Sequence, residues 1–170
     1  MRTVIIGMPM HECSVNSYFM AIVEAFKLAS YRVIIITDTQ RYSLEKKPDM
    51  LNDNPIILTW PSVRPTGFRD MYFFWKLLRQ HKPEVVISNF GAVNIMTFFS
   101  FLLKIKKRVV WVHTLSSQLD KRARIFRWRK NFIYLLATDV IANSKAMFDD
   151  VRSHYKFLKK KVTIFYNAIE

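Results

Sequence analysis

The feature that most constrains this chain is a short, continuously apolar run that ends abruptly in polar residues. Residues 109–112 are β-branched or aromatic, and His113 follows them directly. Such a run is typical of a strand buried on both faces, as in a parallel sheet covered by helices. In open α/β sheets the ligand lies beyond the carboxyl ends of the strands, so His113 is predicted to lie beside a ligand crevice. The alternative is a structural histidine bonded to a neighbouring loop.

The same pattern of apolar run, polar end and amphipathic segment recurs along the chain. The predicted strands cover residues 3–7, 32–37, 56–60, 84–88, 109–112, 139–142 and 162–166. Apolar residues at helical spacing predict helices between most of them, including 15–30 and 68–81. Strands that alternate with helices through right-handed crossovers predict an α/β fold with a doubly wound, mostly parallel, Rossmann-like sheet.

Charge is the most unusual property of the composition. The 170 residues, enough for one domain with a proper core, carry 27 Lys and Arg against 13 Asp and Glu, a net charge of +14. An excess of this size indicates a polyanionic neighbour, which is nucleic acid, an anionic membrane surface or a phosphorylated substrate. The charge alone does not choose among the three.

Several classes of protein are not expected. The single Cys13 can form neither an intramolecular disulfide nor a Cys-rich metal site, and no metal or cofactor is predicted. The chain has no Walker A, HExxH, Cys-x-x-Cys or Gly-x-Ser-x-Gly sequence. No leader for export is recognised at the start, and the longest apolar segment is shorter than the ~20 residues of a membrane span. The expected location is the cytoplasm, with the surface of the membrane as an alternative.

Polar residues follow the predicted strands at positions where parallel strands would bring them together. Their amide, imidazole and hydroxyl groups suit hydrogen bonding to a hydroxyl-rich or phosphorylated ligand, although they specify no reaction. The candidate site residues are His11, Asn16, Asn89, His113, Asn143 and Ser144. Ser144 is also a plausible N-cap for the helix that follows it.

A second candidate surface is a basic amphipathic helix. Its positive face carries Arg124, Arg127 and Lys130, and no acidic residue occurs between Lys121 and Asp139. The opposite face is apolar and consists of Ile125, Trp128, Phe132 and Leu136. This pattern is typical of a helix at an anionic membrane surface. The alternative is a solvated helix that packs its apolar side on the sheet, and both descriptions can hold in different turns. The preceding apolar helix, 93–103, is either buried or partly immersed in lipid.

The last thirty residues, IANSKAMFDDVRSHYKFLKKKVTIFYNAIE, carry a family resemblance. They resemble the segment that closes the N-terminal domain of family 4-type glycosyltransferases of the GT-B architecture. In that family a strand ends in a Ser, and a helix, a basic turn and a strand ending in an Asn-containing motif follow. The matching positions are Ile141, Ser144, Val162, Ile164 and Asn167. The run VVWVHTL looks like the family's strand that ends in a His.

Two departures from the family pattern concern the site itself. The first loop reads MPMHECSVN where the family is usually glycine-rich, and Thr114 stands where an acid often follows the His. A GT-B enzyme also has a second Rossmann-like domain that binds the nucleotide-sugar. The resemblance therefore implies that residues 1–170 form one domain, the acceptor-binding half, and that it is inactive without a donor-binding C-terminal half.

The resemblance implies a retaining transfer of a sugar from a nucleotide-sugar to a lipid-linked or surface-glycan acceptor. His113 would hydrogen-bond the transferred sugar, Asn89, Asn143 and Ser144 would line the cleft, and the basic helix would hold the domain at an anionic membrane. The alternative function is a non-catalytic basic module that binds nucleic acid or a partner protein. Nucleic acid is the less expected partner, because Trp128 and Phe132 stand at helical spacing that is typical of a core or an interface.

Overall fold

The structure of the chain is a computed structural model. It describes residues 1–8, 14–37, 55–62, 67–89, 92–113, 123–155 and 161–166. For residues 14–15 and 123–127 it describes the backbone alone. The strands within these ranges are β1 (Arg2–Gly7), β2 (Tyr31–Thr37), β3 (Ile56–Thr59), β4 (Val85–Ser88), β5 (Lys107–Val112), β6 (Asp139–Ala142) and β7 (Val162–Ile164). The helices are α1 (Ser14–Leu28), α2 (Phe68–His81), α3 (Val93–Leu102), α4 (Ala123–Leu136) and α5 (Lys145–His154).

The strands form one parallel sheet in the order β3-β2-β1-β4-β5-β6-β7. The chain starts in the middle of the sheet, runs outward to β3, and then crosses to the other side of β1 to form β4. The direction of winding therefore reverses between β1 and β4. In doubly wound folds such a switch point opens a crevice at the carboxyl ends of the two strands.

The two faces of the sheet bury different sets of side chains, because successive residues of a strand point to opposite faces. Val4 and Ile6 of β1 pack with Phe19 and Val23 of α1. The alternate residue, Ile5, packs on the other face, which helices α2 and α3 cover. Helices α4 and α5 cover the continuation of that second face over β5, β6 and β7. Full burial of each such aliphatic side chain contributes about 1.5–3 kcal/mol, so the core fixes the strand register.

The predicted α/β fold with a mostly parallel sheet is confirmed, and every described strand runs parallel to its neighbours. The strand over residues 139–142 has the predicted bounds, and α2 begins and ends where the apolar spacing indicates. The last strand is shorter than predicted, since β7 ends at Ile164 and leaves Phe165 and Tyr166 beyond it. Those two aromatic side chains are exposed there, at the carboxyl end of the sheet.

Candidate functional site

The carboxyl ends of β1 and β4 approach each other closely at Gly7. A Cβ atom at this position would lie 2.7 Å from Sδ of Met96 and 3.8 Å from the backbone nitrogen of Asn89. Glycine therefore lets α3 and the end of β4 pack directly against the end of β1. Asn89 follows β4 at this point and is 2% exposed, so its amide belongs to the floor of the crevice and not to its rim.

His113 extends β5 by one residue at the same end of the sheet. Val112 pairs with Ala142, so His113 is level with Asn143 of the neighbouring strand. Both side chains are partly buried, and the imidazole ring lies 6.4 Å from the ring of Phe19 on α1. The predicted neighbours at the ends of β5 and β6 are therefore adjacent in the fold.

Burial determines the charge of His113. It lowers the pKa of the imidazole from 6.5 to about 4. The ring is consequently neutral at neutral pH, with one nitrogen that donates a hydrogen bond and one that accepts. A group of this kind matches the hydroxyls of a sugar and brings no positive charge to a phosphate.

Ser144 has the capping role that the sequence predicts. Its backbone is extended, with φ −154° and ψ 163°, and the backbone N–H of Met147 donates to its Oγ at 3.2 Å. The oxygen of this hydroxyl is therefore engaged at the start of α5, while its hydrogen can still be donated to a ligand. The cap also fixes the path of the chain just after Asn143.

The remaining site candidates follow β1. His11 lies outside the described residues. Asn16 is in the first turn of α1, and its Oδ1 is buried with no hydrogen-bond partner in the described part of the chain. A buried amide oxygen without a partner is costly, which makes Asn16 a candidate for a ligand contact. The structure thus groups Asn89, His113, Asn143 and Ser144 along one end of the sheet.

An aromatic cluster beside these residues was missed by the sequence reasoning. Tyr18 of α1 lies 5.4 Å from Trp111 and 5.6 Å from Phe165, measured between ring centroids. Burial raises the pKa of Tyr18 to about 12. Phe165 is 51% exposed and stands at the end of β7, so it offers a ring face at the carboxyl end of the sheet. The usable signal was the Phe165–Tyr166 pair at the end of a short apolar run.

The sequence also matches a known family. It fits the model of Glycosyltransferase Family 4 over residues 15–170, which covers everything from the first turn of α1 onward. This chain belongs to glycosyltransferase family 4. No curated protein matches it significantly.

Several solved structures have the same fold as this family 4 chain. A glycosyltransferase from Rickettsia africae ESF-5 has a TM-score of 0.70 at 16% identity, over 97% of this chain and 42% of that one. The UDP-GlcNAc 2-epimerase from Methanocaldococcus jannaschii has a TM-score of 0.65 at 14% identity, over 95% of this chain and 44% of that one. An alpha-glucosyltransferase, in complex with UDP and a 13-mer DNA, has a TM-score of 0.54 at 13% identity, over 99% of this chain and 41% of that one. At such identities the likeness shows the fold alone, and the chain spans less than half of each structure.

The basic helix of this family 4 chain corresponds to α4. The backbones of Arg124 and Arg127 lie in it, and their side chains are outside the described residues. Lys130 is partly buried, and burial lowers its pKa, although the charge of Asp150 on α5 acts in the opposite direction. Lys130 is therefore near Asp150 and is less accessible than the sequence pattern indicates.

The apolar stripe predicted for α4 is divided. Leu136 is buried in the core, whereas Trp128 is 75% and Phe132 46% exposed. The neighbouring helix α3 is similarly divided, with Met96 buried and Phe101 exposed. Among the described helices, none has the length and apolar character that crossing a bilayer requires. No cluster of three His, Cys, Asp or Glu side chains is placed to hold a metal ion in the described part of the chain.

Proposed function

We propose that this chain is the acceptor-binding domain of a retaining glycosyltransferase of glycan biosynthesis. In this proposal a sugar passes from a nucleotide-sugar to a lipid-linked or surface-glycan acceptor, which is held at the carboxyl ends of the strands. A donor-binding half completes the cleft. Family membership over residues 15–170 supports the reaction class, and the site geometry supports the type of ligand.

The observation that carries the proposal is the neutral His113 beside Asn143, a position from which the imidazole can contact the acceptor as well as the transferred sugar. A low pKa of about 4 keeps this imidazole uncharged, and amides and an uncharged imidazole together can donate to and accept from sugar hydroxyls. The exposed ring of Phe165 adds an apolar surface of the kind that orients a ring-shaped ligand.

The lengths of the solved structures support a second half. The Rickettsia glycosyltransferase extends well beyond the part that this chain matches, which is 42% of it. In the proposal a further segment or a separate chain binds the nucleotide-sugar. The purified chain alone should consequently release no nucleoside diphosphate from UDP-glucose or GDP-mannose, and steady release above a buffer control would contradict this.

Acceptor binding can be measured without the donor-binding half. The probe is a short polyprenyl diphosphate that carries N-acetylglucosamine, titrated calorimetrically into the purified chain. His113→Phe keeps a ring of similar size and removes both nitrogens, so binding should weaken about tenfold through the loss of one hydrogen bond. The matched control is His154→Phe on α5, which should bind as the wild type does. Equal binding by His113→Phe and the wild type would remove His113 from the acceptor site.

We further propose that the chain acts at an anionic membrane, at its cytoplasmic face, through the α3–α4 surface. This surface consists of the exposed side chains Phe98, Phe101 and Leu102 of α3 and Trp128, Phe132 and Leu135 of α4. The two helices pack side by side. Each nearby Lys or Arg contributes about 1 kcal/mol at an anionic leaflet, so Arg124 and Arg127 need the apolar side chains to bind firmly.

The membrane proposal is tested by co-sedimentation with phosphatidylglycerol vesicles. Trp128→Ser/Phe132→Ser should lose most of the bound fraction, and so should Arg124→Glu/Arg127→Glu. Lys130 is left unchanged, because a carboxylate in this partly buried position would be repelled by Asp150 and could destabilise the fold. The control is Phe68→Ser/Tyr72→Ser, which removes two exposed aromatic side chains of α2.

Salt provides a second arm of the same experiment. High salt should weaken the binding of the wild type, because it screens the surface charges. If the α4 variants sediment as the wild type does, the α3–α4 surface is not a lipid-binding surface. Tight binding of a single-stranded oligonucleotide, without vesicle binding, would favour the basic binding module instead.

A further inference from the structure

A cavity lies at the opposite end of the sheet from the candidate site. It has a volume of about 600 Å³ and is open to solvent. Its walls are the first residues of β1, the segment that precedes β4, and the carboxyl ends of α2 and α3. Nothing in the proposed acceptor site requires this cavity.

The cavity is strongly basic. Its described lining includes five cationic side chains and one carboxylate. The cationic residues are Arg2, Arg79, Lys82, Lys104 and Lys106, and the carboxylate belongs to Glu84. Like charges in one pocket repel one another, so this arrangement needs a compensating anion or a compensating protein field.

Three of the five cations have partners within the protein. Arg2 donates to the backbone oxygen of Ala29 at 2.8 Å, and its guanidinium lies over the ring of Tyr31. Arg79 stacks on Trp75 in the same way. Lys106 pairs with Glu84 at 3.7 Å. These contacts hold the walls in position, and the single carboxylate of the described lining, Glu84, is paired with Lys106.

The other two cations, Lys82 and Lys104, are differently placed. Neither ammonium group has an ion-pair or hydrogen-bond partner among the described residues. Both residues have left-handed backbone conformations, with φ 43° at Lys82 and φ 54° at Lys104. Glycine is the usual residue at such a position after a helix, because a Cβ is strained there.

The coincidence of strain and charge points to a function for the cavity. One further described non-glycine residue with positive φ, Ser30 at the end of α1, is uncharged and lies outside the cavity lining. Lysine thus occupies the strained position at both helix ends that border the cavity. Strained residues in a cleft are a reason to look for a ligand.

We propose that this cavity binds a phosphate-bearing anion through Lys82 and Lys104, with Arg2 and Arg79 as its fixed positive walls. Phosphate offers the multiple charged oxygens that ammonium and guanidinium groups bind best. The volume admits a diphosphate or a lipid headgroup. Both sources share the same chemistry, and the experiment below separates them.

A simpler role for the two lysines is to offset the negative ends of the α2 and α3 dipoles. That role predicts an effect on stability and none on anion binding. The variant Lys82→Gly/Lys104→Gly distinguishes the two roles, because glycine relieves the strained backbone while it removes both charges. We therefore expect the variant to fold whichever role is correct.

The experiment measures two probes on the purified chain. Inorganic pyrophosphate is titrated calorimetrically at low salt, and phosphatidylcholine vesicles with and without phosphatidic acid are used in flotation. We expect the wild type to bind pyrophosphate, phosphatidic acid vesicles or both, and Lys82→Gly/Lys104→Gly to bind about tenfold more weakly or worse. Pyrophosphate binding that Lys82→Gly/Lys104→Gly weakens identifies a free phosphate compound. Vesicle binding alone identifies a lipid headgroup in the cavity if the same variant weakens it, and identifies the α3–α4 surface if it does not.

Two controls distinguish an effect of the cavity from two other effects. One is a general loss of positive charge, and the other is the relief of a strained backbone. Lys76→Ala/Lys145→Ala removes two exposed lysines outside the cavity and should bind as the wild type does. Ser30→Gly relieves a left-handed residue without a change of charge. The proposal is overturned if the wild type binds neither probe, or if the double glycine variant and the lysine control bind alike. The pyrophosphate arm involves neither the acceptor site nor the α3–α4 surface, so its result is independent of the proposed function.

Discussion

The two ends of the same sheet differ in how they handle charge. At the carboxyl end, the described side chains around the crevice are amides, a hydroxyl and an imidazole whose pKa of about 4 keeps it neutral. At the amino end, the described cavity lining holds five cations and one carboxylate. In the two proposals above, the first end binds a hydroxyl-rich ligand and the second end binds an anion.

The direction of the helices explains part of this difference. Each helix of a parallel α/β sheet starts near the carboxyl ends of the strands and finishes near the amino ends. Helix N-termini bring partial positive charge to the first end, where further cations would be unfavourable. Helix C-termini bring partial negative charge to the second end, which tolerates Lys82 and Lys104. The helix dipoles therefore favour cationic side chains at the amino end of the sheet and disfavour them at the carboxyl end, whether or not a ligand is bound.

The largest expected effect concerns His113 at the carboxyl end. Its folded pKa of about 4 lies below the 6.5 of an unperturbed histidine, so between these values the unfolded chain binds more protons. Stability therefore rises with pH across this window and is lost as the pH falls through it. In His113→Phe, the decrease in the free energy of unfolding between pH 8 and pH 4 should be smaller than in the wild type by about 3 kcal/mol. The measurement is urea unfolding of both proteins from pH 8 to pH 4, and parallel curves would show that His113 is not buried as described.

The next effect concerns Asp70, which is fully buried in the first turn of α2. Its Oδ2 accepts from Oγ of Ser62 at 2.5 Å and from the backbone N–H of Gly67 at 3.0 Å. Asp70→Ala loses both bonds and should destabilise the chain by about 2 kcal/mol in chemical unfolding. Asp149→Ala removes an exposed carboxylate that pairs with Lys145 and should cost less than about 0.5 kcal/mol. Similar costs for the two variants would mean that the carboxyl end is no more sensitive than the open surface.

A smaller effect is expected at Ser144. Ser144→Ala removes the oxygen that accepts from Met147 N–H, and the loss of such a cap costs about 1 kcal/mol. Ser153→Ala, at the other end of α5, removes a hydroxyl that donates to the backbone oxygen of Asp150 and is the matched control. Thermal unfolding of the two variants should place Ser144→Ala clearly lower. Equal melting temperatures would count against the cap.

The smallest effect belongs to the amino end. Lys82→Gly and Lys104→Gly each relieve a left-handed residue, a gain of roughly 1–2 kcal/mol. Each also loses a favourable dipole contact of about 0.3–1 kcal/mol and adds the entropy cost of glycine, about 0.5–1 kcal/mol. Stability should therefore change by less than about 1 kcal/mol in either direction, as measured by urea unfolding. A large loss would make these lysines structural and remove the contrast between the two ends of the sheet.

Much of the fold was predictable because its signals are local. The strand over residues 139–142 and the bounds of α2 follow from runs and spacings of apolar side chains that fit only one type of element. The cap at Ser144 is equally local. The candidate residues at the strand ends were predictable as a set, since parallel strands bring their carboxyl ends together, and the family resemblance added their expected roles.

The sequence was less informative where an element has more than one apolar face. In α4 the residues Trp128, Phe132 and Leu136 satisfy helical spacing as one stripe, yet the first two are exposed and the third is buried. Spacing gives the angle between side chains and not the direction from which α3 and α5 approach. The position of Lys130 near Asp150 depends on that same packing.

By itself the sequence determined the order and type of the elements, because burial of alternating or helically spaced apolar residues is decided within each segment. Only the tertiary structure decided the strand order, with its switch point at Gly7 and Asn89, and the joining of Lys82 with Lys104 in one cavity. These are contacts between residues far apart in the chain. They arise when crossovers place β4 beside β1 and β5 beside β4. The free energy that selects this arrangement comes from packing between segments and not from any one segment.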